Sequence, residues 1–123
     1  MIYLIQTVLV LCLSSKVFAQ NVKTIKLCEK SVAPIFISHK GTVLDFPAEP
    51  EKVVLGTKNS FSIEYIRSDL AISPLTVTSK SNLFVYLHGR RFALDLSTST
   101  YGATLYFIKD CDSDKVLVKK NGK

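Results

Sequence analysis

SNLFVYLHGRRFALDL, residues 81–96, is the stretch whose reading decides the fold. From Leu83 to Leu87 it is dense in branched and aromatic side chains, and Gly89 then interrupts it. In its second half Phe92, Leu94 and Leu96 share one parity, and Arg91, Ala93 and Asp95 share the other. That is the period-two alternation of a strand with one buried face. Two such runs about a glycine predict a β-hairpin.

The same pattern extends outward in both directions. Strands are predicted at residues 24–29, 34–38, 42–46, 52–55, 61–66 and 70–72, then at 102–109 and 115–119. Pro47, Pro50 and Pro74 end strands because proline cannot donate to a ladder. No apolar period of 3.6 is sustained for three turns. The expectation is an all-β domain: an Ig-like β-sandwich or small barrel of eight to ten short, mostly antiparallel strands.

The first residues read differently. Residues 2–13 are apolar apart from Gln6 and Thr7, and Val17-Phe18-Ala19 has the small-residue spacing that a signal peptidase accepts. Residues 1–19 are therefore expected to be a signal peptide, residues 20–118 the β-domain and residues 119–123 a basic tail. No Lys or Arg precedes the apolar run, which departs from the usual leader. Lipidation at Cys12 is disfavoured, because Leu11 stands where that processing needs a small residue.

Removal of the leader leaves Cys28 and Cys111, an even count in an exported chain, which predicts a disulfide between them. Sixteen basic residues face ten acidic ones; loss of Lys16 with the leader reduces the excess from six to five. Such an excess favours anionic surfaces or an acidic partner, so peripheral membrane contact stays open. It does not single out nucleic acid.

From Thr42 onward the order of features resembles the N-terminal domain of the TrbG-type conjugal-transfer family, periplasmic subunits of type IV secretion core complexes. The stretches that carry the resemblance are TVLDFP (42–47), VVLG (53–56), Phe61, LAISP (70–74) and residues 81–96. It implies structural roles for Gly56, Phe61, Pro74, Asn82, Leu83, Arg91 and Phe92. On physical grounds Gly56 is expected to supply a backbone conformation that a side chain would strain, and Pro74 to cap an edge strand. Asn82 is expected to bond neighbouring backbone, and Arg91 to lay its stem over apolar surface or pair with an acid. Family members continue into a second β-domain, whereas this chain ends at Lys123, so a single-domain relative is expected.

Catalytic signatures are missing from the sequence. His39 and His88 both fall in predicted turns with no nucleophile at a recognisable spacing. No Gly-x-Ser-x-Gly, His-Glu-x-x-His or phosphate-cradling glycine loop occurs. Asp110, Asp112 and Asp114 alternate like the start of a calcium loop but lack its glycine and terminal glutamate, so an acidic turn is expected. Asp45 and Asp95 are one pair of carboxylates that could meet across strands. Lys80, Arg90 and Arg91 with Phe84, Tyr86 and Phe92 offer a basic, aromatic face for single-stranded nucleic acid. Alternation argues instead that the aromatics are core and the charges lie on the other face, so nucleic acid is disfavoured.

The expected function is therefore non-enzymatic, with no cofactor and no metal. The resemblance implies a structural or accessory protein-binding subunit of a periplasmic envelope complex, associated with the outer membrane side and part of an oligomeric assembly. Edge strands at residues 51–55 and 115–119 are the expected docking rails. The alternative is a free exported Ig-like module that binds a ligand, inhibits an enzyme or serves as an adhesin subunit.

Overall fold

The computed structural model describes residues 21–111. The expected signal peptide with Cys12, Gln20, the strand expected at 115–119, the expected basic tail, and Asp112 and Asp114 lie outside the described residues. Among the described residues there are nine strands: β1 (Val22–Leu27), β2 (Val32–Ile37), β3 (Thr42–Asp45), β4 (Lys52–Leu55), β5 (Phe61–Ile66), β6 (Asp69–Pro74), β7 (Lys80–Leu87), β8 (Arg90–Thr98) and β9 (Leu105–Asp110). They form two packed sheets, β1-β9-β3-β6-β5 and β2-β8-β7-β4. The expected all-β sandwich is what forms, and neither sheet closes into a barrel.

The β7–β8 hairpin turns through His88 and Gly89, whose φ angles of 51° and 73° are both positive. Two positive φ values match the twist of the flanking strands. This turn sets Leu87 opposite Arg90 and Val85 opposite Phe92. Leu83, Val85 and Leu87 then point inward with Phe92, Leu94 and Leu96, all buried. From the other sheet Leu44, Leu70, Ile72, Tyr106 and Ile108 meet them. Each aliphatic side chain so buried contributes roughly 1.5–3 kcal/mol.

The strand directions are less uniformly antiparallel than the sequence suggests. Four of the seven pairings are antiparallel. The other three, β1 with β9, β2 with β8 and β3 with β9, are parallel. Parallel partners need long connections, so they leave no local turn signal.

Tyr106 ties the sheets together. It is buried on β9, and its hydroxyl accepts from the Phe36 N–H and donates to the Phe36 carbonyl, both at 3.2 Å. Nearby, the Thr42 hydroxyl donates to the Ala103 carbonyl at 2.7 Å and accepts from the Ser38 N–H at 2.9 Å. Gly102 lies against the same corner. A Cβ there would fall 2.6 Å from the Ile37 carbonyl carbon and closer still to the Ser38 nitrogen, so only glycine fits.

Cys28 and Cys111 are disulfide-bonded, with Cα atoms 5.3 Å apart and 83 residues of separation. They follow β1 and β9 directly, so the bond staples the C-terminal ends of that parallel pair. Beside it Arg90 pairs with Asp110 and lies over the Phe92 ring, 5.0 Å from its centroid.

Two stability measurements follow from this frame. Replacing both cysteines, Cys28→Ser with Cys111→Ser, is expected to cost about 2–5 kcal/mol in denaturant unfolding, since a long loop is freed in the unfolded chain. Gly102→Ala is expected to cost about 1–3 kcal/mol by overpacking against Ile37 and Ser38. Unchanged denaturation midpoints would contradict either assignment.

Candidate interaction surfaces

The outward face of the four-stranded sheet is where the structure departs most from the alternation argument. Lys80, Asn82, Phe84 and Tyr86 share one parity on β7, and that parity points away from the core. Arg91 sits opposite Tyr86 and Ala93 opposite Phe84. The expectation that the aromatics are core and the charges lie elsewhere therefore fails for Phe84 and Tyr86, and holds only for Phe92. Alternation was the ground of that expectation, yet Lys80, Phe84 and Tyr86 are of one parity on β7, and the hairpin register sets Arg91, not Phe92, on their face.

The register builds ordered rows across this face. Val54 of β4 lies opposite Phe84, Phe84 opposite Ala93, and Ala93 opposite Val32 of β2. Val32 is 65% exposed and Val54 is 38% exposed, so this apolar row reaches both sides of the sheet in contact with water. Beside it runs the row Lys52, Tyr86, Arg91. The Arg91 guanidinium stands 6.0 Å from the Phe84 ring centroid, so its stem covers apolar surface as expected. An open depression of about 540 Å³ lies between Lys30, Val32, Phe84, Arg91 and Ala93. A second, of about 340 Å³, lies by Gly56, Lys80, Asn82 and Asp95.

Among the described residues the sheets have four edge strands, β1, β5, β2 and β4. The rail expected at residues 51–55 is the edge strand β4 with Glu51 before it. The Gly56 N–H donates to the Asn82 carbonyl at 2.9 Å, so alternation turns the backbone groups of Val53 and Leu55 away from β7. Glu51 accepts from the Gly89 N–H at 2.7 Å and anchors the start of this edge to the hairpin turn.

The residues singled out by the sequence separate into distinct roles. Phe61, Leu83 and Phe92 are buried in the core. Gly56 does not adopt a positive φ, and a Cβ on it would make ordinary contacts of 3.4 Å or more, so the conformation expected there, one that a side chain would strain, is absent. Pro74 ends β6, which runs between β3 and β5 and is not an edge. It is accommodated because β3 pairs with β6 only as far as Ile72. Asn82 acts through its main-chain carbonyl, while the Ser81 hydroxyl accepts from the Thr57 N–H at 2.8 Å and donates to that carbonyl at 2.9 Å.

His39 and His88 are exposed in the β2–β3 and β7–β8 turns. Asp45 and Asp95 stand in different sheets. The carboxylate that faces Asp45 is Asp69, its direct partner across β3 and β6. Burial, then the Asp69 charge and a hydrogen bond to it, raise the Asp45 carboxyl above its ordinary value, against a smaller lowering by Ser68. Among the described residues, no three His, Cys, Asp or Glu side chains converge as metal ligands would.

No model of a known protein family matches the chain, and no curated protein matches it.

The Asp45–Asp69 pair yields a pH test. The folded-state pKa of Asp45 lies above its ordinary 3.8, so the contribution favouring the fold is complete below that value and is lost as pH rises through the folded pKa. Asp45→Asn is expected to raise the melting temperature at neutral pH. The gain should vanish in acid below the ordinary aspartate range; an equal gain at both would refute the pairing.

Proposed function

We propose that this chain is a non-catalytic protein-binding module, a structural or accessory subunit of a periplasmic envelope assembly of the conjugal-transfer or type IV secretion kind. One observation carries the binding reading: the exposed row Val54–Phe84–Ala93–Val32 adjoins the open edge of β4. A partner strand laid along β4 would take up the outward backbone groups of Val53 and Leu55, and its own side chains would extend the apolar row. Lys52, Lys80 and Arg91 around that row favour acidic residues at the rim of the contact. The envelope setting rests on the leader-like residues 1–19 and on the resemblance in residues 42–96.

The test is native-gel analysis of cross-linked, gently solubilised envelopes from cells producing the chain. A large species is expected, and mass spectrometry of that band should identify envelope neighbours. Phe84→Asp with Val54→Lys should abolish the large species while circular dichroism of the purified chain keeps its β signature, since both side chains point outward. Only monomer in the soluble fraction would sink the assembly reading in favour of a free exported binding module.

A further inference from the structure

Edge strands expose unpaired backbone groups, and proteins usually blunt them with lysine, proline, brevity or a cover. Three of the four edges here carry such a device. β1 holds Lys23 and Lys26. β4 is four residues long and opens with Lys52. On β2, Pro34 has no N–H, and the N–H and carbonyl of Phe36 are both taken by the Tyr106 hydroxyl.

β5 is the exception. Its six residues, FSIEYI, include neither lysine nor proline. The Leu75 N–H donates to the Ser60 carbonyl at 3.0 Å, so Ser62, Glu64 and Ile66 bond to β6, and the backbone groups of Phe61, Ile63 and Tyr65 point outward. Among the described residues nothing pairs with that side of β5. Tyr65 and Ile66 are 60% and 54% exposed.

We propose that β5 pairs antiparallel with β5 of a second copy of this chain, about a two-fold axis at Ile63. The outward groups are symmetric about Ile63, so this register bonds Phe61 to the second copy's position 65, Ile63 to its counterpart and Tyr65 to position 61. Each Tyr65 then lies across from the second copy's buried Phe61, so the backbone ladder supplies most of the contact and Tyr65 covers the junction. Ser62 and Glu64 face each other, so no like charges stand directly opposed. Moving the axis to Glu64 would oppose two carboxylates and shorten the overlap. The contact is self-complementary and closed, as a two-fold dimer requires, and joins the two five-stranded sheets edge to edge. It leaves β4 and the opposite sheet free, so it stands independently of the proposed function.

Sedimentation of the purified chain across a concentration series is expected to show a reversible monomer–dimer equilibrium. Tyr65→Lys places a lysine on the edge and should shift the chain to monomer with its circular dichroism intact. The register has its own test. In a non-hydrogen-bonded antiparallel pair the Cα atoms lie about 4.5 Å apart, close enough for a disulfide. A mixture of Ser62→Cys and Glu64→Cys chains should cross-link between copies under oxidation, whereas neither variant alone should do so efficiently. A chain that stays monomeric at every concentration overturns the proposal. So does a dimer that survives Tyr65→Lys, or a mixture that cross-links no better than its separate components.

Discussion

The two-residue turn at His88 and Gly89 fixes the register between β7 and β8, and nearly everything else in the molecule follows from that register. A slip of one residue would move Leu83, Val85 and Leu87 into water and bring Phe84, Tyr86 and Lys80 into the core. Because β8 also pairs with β2, and β7 with β4, the same turn positions all four strands of one sheet. The row from Val54 to Val32 is thus a direct product of a local backbone choice.

Much of the architecture was legible in the sequence because alternation is a local signal. Phe92, Leu94 and Leu96 could be assigned to one face from parity alone, and the structure buries all three. Phe84 and Tyr86 fall on the outer face because they share the parity of Lys80, and the intervening Leu83, Val85 and Leu87 fill the core; which residues of β8 join each face depends on the turn register. The pairing of Cys28 with Cys111 was also accessible, since only two cysteines follow the leader-like segment.

What stayed hidden depends on neighbours distant in the chain. The parallel ladders of β1 with β9 and β2 with β8 leave no turn to read. Gly56 and Gly102 look alike in sequence, yet only Gly102 presses on another segment's backbone. Asp45 meets Asp69 because β3 and β6 align those positions, whereas Asp95 belongs to the other sheet. Tyr106 reads as one more aromatic in a strand, and its role emerges only when β2 is brought within reach of its hydroxyl.

The position of the disulfide has a mechanical consequence. Cys28 closes β1 and Cys111 closes β9, so a pull between Asn21 and the segment beyond Cys111 travels along β1 and crosses directly through the sulfur–sulfur bond. Residues 29–110, with nearly all of the core, sit in a covalent loop off the load path. Tension at the ends can peel β1 from β9 but cannot draw out the remaining strands while the bond is intact. Reduction would place the whole sandwich in series with the force.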